Sequence, residues 1–297
     1  MRRIEKLKEE KNTLILVHNY QRPEIYRVAD YIGDSYGLSK KAMETDKDVI
    51  VFCGVDFMAE SAYILNPDKT VLIPTLLARC PMAAMVTDKA LRRMREKYPG
   101  AAVVSYVNTS AEVKAESDIC CTSANAVKVV NSLEEEEVIF VPDRNLAHYV
   151  SRHTDKRIIP WDGWCYVHER FSAEGVKRYK ELYPRAEVVV HPECRPGVID
   201  LADAVCSTSQ MIEYVKKSDA KEFIIGTEIG LVERLRLEMP ENTYHQAPPG
   251  GICTEMKMNR LEVVLKALEE ERYKVSFSEK VRERAEKALE RMIEVTR

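Results

Sequence analysis

The sequence of 297 residues predicts an α/β protein built from three pseudo-threefold-related α/β/α domains, each a three-layer unit with a parallel sheet, around a central active site. Three observations predict it. One spacing occurs three times: His18 and Ser35, Tyr106 and Ser123, and His191 and Thr208 are each 17 residues apart. In every pair the first residue closes a β-branched run (LILVHNY, AVVSYVN, EVVVHPE), and the second opens an amphipathic stretch (GDSYGLSKKAM, CCTSANAVKVV, VCSTSQMIEYV). The flanking sequence repeats as well, since residues 90–108 lie 88 positions after 2–20 and 85 positions before 175–193. Self-similarity at such a period signals one supersecondary unit used repeatedly.

Each copy opens with a basic amphipathic helix, and in the second and third copies a Tyr-Pro pair (Tyr98-Pro99, Tyr183-Pro184) ends it, because proline cannot continue a helix. A strand follows, then the hydroxyl-bearing helix, then a second strand at DVIVFCG, EVIFVPD or EFIIGTE, a further helix and a loop. Strands alternating with helices are the mark of parallel βαβ units. Asp30, Asp118 and Asp203 share a register, five residues before the hydroxyl. The expected boundaries are 1–87, 88–172 and 173–260 for the three repeats. A helical extension follows over 261–297, expected as outer cladding from the helical spacing of Val281, Ala285, Ala288, Met292 and Ile293.

Composition narrows the function. A net charge of −3 and a pI near 6.2 carry no basic footprint for nucleic acid. The first residues, MRRIEKLKEEKN, are charged where a signal peptide would be apolar, and no run approaches the roughly 18 apolar residues of a membrane span. The expectation is a cytoplasmic protein whose partners are small molecules.

In parallel α/β units ligands bind beyond the carboxyl ends of the strands. His18, Tyr20, Tyr106, Asn108, His191 and Glu193 fall at such ends, and Ser35, Ser123 and Thr208 at helix starts, where free N–H groups and the helix dipole favour an anion. Three such starts around one axis would hold a small, multiply anionic molecule. The competing reading makes the three hydroxyls N-caps of their own helices and nothing more.

The eight cysteines contain no CxxC pair. Three of them nevertheless follow the repeat, with Cys80, Cys165 and Cys253 lying 62, 59 and 62 residues after His18, Tyr106 and His191. Each sits in or beside a loop rich in breakers (PTLLARCP, PWDGWC, APPGGIC). Three thiolates meeting at one point select zinc, copper(I) or an iron–sulfur cluster, and a cubane held by three cysteines leaves one iron open. Spacing alone leaves unliganded thiols as an equal alternative. Cys53, Cys120, Cys121, Cys194 and Cys206 read as small buried apolar residues.

The segments HNYQRPE (18–24), GDSYGLSKKA (33–42), VDFMAE (55–60), RCPMA (79–83), YVNTSAEVKA (106–115), CTSANAV (121–127), CYVHERF (165–171), HPEC (191–194) and GTEIG (226–230) resemble the quinolinate synthase A family of NAD biosynthesis. The resemblance runs from about residue 4 to 295. It departs where STSQM carries Ser209 in place of a frequent glycine, and where PPGGIC replaces acidic or bulky residues.

The resemblance implies a pseudo-threefold enzyme that condenses iminoaspartate (iminosuccinate) with dihydroxyacetone phosphate to give quinolinate, phosphate and two waters. It implies a [4Fe-4S] cluster on Cys80, Cys165 and Cys253 whose open iron is a Lewis acid. Carried over by position, His18, Ser35, Tyr106, Val107, Asn108, Ser123, His191, Pro192, Glu193 and Thr208 line the substrate site. Glu193, Tyr20, Tyr106, His18 and His191 supply the acid–base groups, with Glu193 as the main proton shuttle. His168 supports the site from behind, and Trp161 and Trp164 pack beside the central loop. An aspartate oxidase or dehydrogenase is the expected source of iminoaspartate. Two other classes fit the residues by themselves: a zinc lyase or hydrolase on the same three cysteines, and a non-catalytic repeat scaffold.

Overall fold

The β-branched runs form the interiors of three parallel sheets in a computed structural model, which describes residues 1–296. The first sheet contains β1 (Thr13–His18), β2 (Tyr31–Gly33), β3 (Val49–Cys53) and β4 (Thr70–Leu72). The second contains β5 (Ala102–Tyr106), β6 (Ile119–Cys121), β7 (Glu137–Val141) and β8 (Arg157–Pro160). The third contains β9 (Glu187–Val190), β10 (Ala204–Val205), β11 (Glu222–Gly226) and β12 (Thr243–Gln246). Each sheet has the same order, with the first and third of its strands central and the second and fourth at the edges. The central strands are buried on both faces, which is why they read as unbroken apolar runs. The sequence showed two strands per copy where the structure has four. The edge strands are only two to four residues long, so neither length nor alternation marks them.

The repeated aspartates hold these units together. Asp30 accepts the N–H of Ile15 at 2.7 Å, Asp118 that of Val103 at 2.8 Å, and Asp203 that of Val188 at 2.8 Å. Each carboxylate ties the turn before the short second strand to the beginning of the central strand. A hydrogen bond to a charged acceptor of this kind contributes about 1.5–3 kcal/mol. The first helices of the second and third copies, Asp88–Lys97 and Ala173–Leu182, start after Thr87 and Ser172, whose side chains accept the N–H of Ala90 and Gly175.

The C-terminal extension covers two of the sheets from outside, and its apolar faces are built into their cores. In helix Glu279–Thr296 the residues Ala285, Ala288, Leu289, Met292 and Ile293 are buried in the largest core cluster. They pack over β6 and its flanking helices and so close a face of the second sheet. Helix Leu261–Glu270 instead packs with helix Arg2–Glu10 over the first sheet, where Ile4, Leu7, Val264 and Leu268 meet Ile15 and Val17. The spacing marked an amphipathic helix but could not say which face lacked a partner. No helix is long and apolar enough to cross a membrane among the described residues.

Because Leu289 and Met292 fill a closed core, Leu289→Ala and Met292→Ala should each lower unfolding free energy by about 2–5 kcal/mol. Urea denaturation followed by circular dichroism measures this. A change below about 1 kcal/mol at both positions would return the helix to a surface role.

Candidate active site

The carboxyl ends of β1, β5 and β9 open onto one cavity of about 70 Å³. His18, Tyr20, Ser35, Tyr106, Asn108, Ser123, His191, Glu193 and Thr208 line it, together with Cys80, Cys165 and Cys253. Residues from all three repeats thus share one site. Two residues expected there lie elsewhere: Val107 packs into the core, and Pro192 faces a neighbouring cleft beside Cys206 and Gln210.

The helix starts differ from the expectation in one copy. Ser35 and Thr208 are the first residues of helices Ser35–Glu44 and Thr208–Lys217. Their N-caps are Asp34, which accepts the N–H of Gly37, and Ser207, whose own N–H donates to the Gln210 side chain at 2.8 Å. The hydroxyls of Ser35 and Thr208 are therefore not capping groups. Asn19 donates to the Thr208 hydroxyl at 2.8 Å and is itself held by Arg234, which leaves the Thr208 proton to point at a ligand. Ser123, by contrast, precedes its helix, Ala126–Asn131. The Asn125 side chain accepts the Thr122 N–H at 2.6 Å, and that local turn delays the helix.

His18 and His191 occupy equivalent corners and are oriented alike. The Nδ1 of each accepts the N–H two residues on, from Tyr20 at 3.1 Å and Glu193 at 3.3 Å. A neutral ring in that arrangement carries its proton on Nε2. His191 Nε2 reaches the Ser123 hydroxyl at 3.2 Å. Burial, reinforced at His18 by Lys257, lowers both imidazoles to about 3, so both are neutral donors at neutral pH. Burial and the nearby Glu193 raise the Tyr20 and Tyr106 phenols well above their ordinary range.

Glu193 is the centre of a buried chain. Its Oε2 lies 2.6 Å from His168 Nδ1, His168 Nε2 lies 2.9 Å from the Thr227 hydroxyl, and that hydroxyl lies 2.6 Å from the Tyr20 hydroxyl. Burial opposes charge on Glu193, but the His191 and His168 rings beside it and the hydrogen bond from His168 outweigh burial and hold the carboxyl below its usual range. Its other oxygen, Oε1, is buried without a hydrogen-bond partner, as are Asn108 Oδ1 and Thr122 Oγ1. All three residues line the cavity. Buried polar atoms without partners cost free energy, so such atoms in a cavity mark where a polar ligand belongs. Thr227 escaped the sequence reading, because a lone threonine after a strand carries no pattern of its own.

The cysteine loops repeat in detail. Each cysteine stands three residues before a 3-10 turn (Ala83–Met85, His168–Arg170, Met256–Met258), and the first N–H of that turn points at its sulfur. Burial raises all three thiols, Cys253 to about 12, and the three repel one another as thiolates. Such thiols release their protons readily only to a soft, highly charged group, and that fits an iron–sulfur cluster. Three sulfurs on one tetrahedral zinc lie roughly 4 Å apart. Among the described residues the donor atoms gathered within 4.8 Å are instead those of Cys165, His168 and Glu193. Zinc on the three cysteines is thereby disfavoured.

The other cysteines, histidines and tryptophans stand outside the cavity. Cys53, Cys120, Cys121 and Cys194 are buried, whereas Cys206 is half-buried because the short β10 leaves one side uncovered. His245 pairs with Glu222 at 3.0 Å, and His153 binds the Tyr149 carbonyl. Trp161 donates to the Met85 carbonyl, and Trp164 packs under Arg144.

The sequence profile of the family described as Quinolinate synthetase A protein matches residues 2–294. The chain belongs to the quinolinate synthase A family. It is 55% identical over 295 residues to Quinolinate synthase 1 of Methanosarcina acetivorans, covering 99% of this chain and 97% of that protein. It is 55% identical over 294 residues to a quinolinate synthase of a Geobacter species, covering 99% and 97%. With the quinolinate synthase of Methanocaldococcus jannaschii it shares 51% over 300 residues, covering 99% and 98%. The family places the chain among the enzymes of NAD biosynthesis.

His18 and His191 make the site acid-sensitive. Folded, they take up protons near pH 3, and unfolded near 6.5, so between those values the unfolded chain binds more protons and stability falls as pH falls. Each contributes at most about 1.4 kcal/mol per pH unit. In urea titrations of the metal-free protein at pH 6.5 and 4.5, the His18→Gln, His191→Gln double variant should lose less stability than the parent chain; equal losses refute the assignment.

Proposed function

We propose that this chain condenses iminoaspartate with dihydroxyacetone phosphate, releasing phosphate and two waters and closing the pyridine ring of quinolinate. One observation carries the reading: strand ends, helix starts and one cysteine from each of three repeats line a single cavity. Relatives named quinolinate synthase at 51–56% identity support it. Cys80, Cys165 and Cys253 would hold a [4Fe-4S] cluster whose open iron, when bound, polarises a substrate oxygen and assists its departure.

The chain's own groups divide the remaining work. The free N–H groups at the starts of helices Ser35–Glu44 and Thr208–Lys217, with the Ser35 and Thr208 hydroxyls, bind carboxylate or phosphate oxygens. Tyr106 and Asn108 donate to a second carboxylate, and Ser123 completes that side of the cavity. His18 and His191 present Nε2–H to the triose oxygens without adding charge, and Tyr20 positions the same substrate. Glu193 moves protons through its unpartnered Oε1, while His168 fixes the other oxygen, and Thr227 and Tyr20 fix His168. Val107 and Pro192 support the strand ends by backbone position. Iminoaspartate is unstable in water, so the reading includes a transient handover from an aspartate oxidase or dehydrogenase, in the cytoplasm that the composition suggests.

A second reading has its own observation. Cys165, His168 and Glu193 gather sulfur, nitrogen and oxygen donors within 4.8 Å, a donor set that a mononuclear zinc accepts. Iron, zinc and acid-labile sulfide measured on protein purified without oxygen separate the two, since a zinc site contains no sulfide.

Anaerobic assay of the same sample should give quinolinate from the two substrates, and Glu193→Gln should lower kcat by about 10²–10⁴-fold with the iron content unchanged. A protein loaded with iron and sulfide that forms no quinolinate would refute the proposal.

A further inference from the structure

Beyond each central strand β3, β7 and β11 stands a carboxylate, Asp56, Asp143 or Glu228, that the catalytic reading leaves unused. Each one opens the next helix: Asp56 Oδ1 accepts the N–H of Phe57 at 3.0 Å, Asp143 Oδ1 that of Leu146 at 2.7 Å, and Glu228 Oε2 that of Gly230 at 2.6 Å. Each also reaches a distant loop. Asp56 Oδ1 accepts the N–H of Cys80, Asp143 Oδ2 that of Cys165, and Glu228 Oε1 that of Cys253, all at 3.0 Å. The same contact thus recurs on all three cysteines, across 24, 22 and 25 residues of sequence.

A helix cap alone does not account for this. Serine or threonine caps a helix with one acceptor, as Thr87 and Ser172 do in this chain. A carboxylate is the side chain that accepts at several positions while donating at none, so one group can serve two N–H donors from different segments. Asp143 and Glu228 are fully buried, where a carboxylate is costly unless such donors surround it. Pinning the cysteine N–H fixes the backbone two bonds from Cβ, which orients the sulfur before any metal arrives.

We propose that Asp56, Asp143 and Glu228 are positioning residues for the three thiolates, preorganising the cysteine loops so that the metal group is held tightly. This rests on reading Cys80, Cys165 and Cys253 as cluster ligands. The three are not equivalent under amide substitution. Asp143 and Glu228 use one oxygen for the helix and the other for the cysteine, so an amide satisfies only one donor. Asp56 uses Oδ1 for both, so an asparagine there keeps both bonds.

The test is release of iron to a ferrous chelator from anaerobically loaded protein, alongside hydrogen exchange of the apo-protein over residues 79–85. Asp143→Asn and Asp56→Ala should release iron about tenfold faster, the factor equivalent to about 1.4 kcal/mol of lost hydrogen bonding. Asp56→Asn should match the parent chain, and Asp56→Ala should speed exchange over 79–85 where Asp56→Asn does not. Asp203→Asn is the control, because Asp203 accepts a backbone N–H at the far end of β9, and it should leave iron release unchanged. Parent rates in both Asp143→Asn and Asp56→Ala overturn the proposal, as does equal acceleration by Asp203→Asn. If Asp143→Asn does not fold, the Asp56→Ala and Asp56→Asn pair decides. A parent chain that takes up no iron and sulfide overturns the cluster reading and this inference with it.

Discussion

A parallel sheet sends every strand end to the same edge, and the crossover helices begin there too. Everything in this molecule that can do chemistry depends on that constraint applied three times. Each sheet has the same strand order, and in each the aspartate before the short second strand pins the beginning of the central strand. With the amino ends tied, the carboxyl ends are free to carry reactive side chains without loosening the unit. The cost of burying those polar groups is spread over frameworks that are otherwise apolar.

The site then divides into layers of different hardness. One layer consists of neutral donors, the His18 and His191 imidazoles and the Tyr20 and Tyr106 phenols, kept uncharged by burial. Beside it stands one carboxylate, Glu193, held ionised and tied at one oxygen. Behind both lie the sulfurs. Hydrogen-bond donors thus line most of the buried wall, and of the two carboxylates that line the cavity, Asp34 and Glu193, Glu193 is the fully buried one.

The central strands, the three 17-residue pairs and the three cysteines were legible in the sequence, because each combines a strong local signal with repetition. Edge strands such as Tyr31–Gly33 and Ala204–Val205 were not, since two or three residues cannot display a period. The start of the Ser123 helix was misplaced because Asn125 makes a turn that propensity does not foresee. The acceptors Asp56, Asp143 and Glu228 were hidden for a different reason: an acidic residue at a helix start looks like a cap, and its second oxygen acts on a loop more than twenty residues away. Thr227 and the target of the final helix share that difficulty, as both are defined by partners rather than by spacing.

The threefold frame has one further implication. Two residues past the equivalent corners His18, Tyr106 and His191 stand Tyr20, Asn108 and Glu193: a phenol, an amide and a carboxylate. A ring of three separate identical chains would be obliged to repeat one of these at every corner and could match only a ligand with the same symmetry. Fusing the copies into one polypeptide removes that obligation. Each corner can diverge alone while the sheets stay alike, so a symmetric container comes to recognise a lopsided guest.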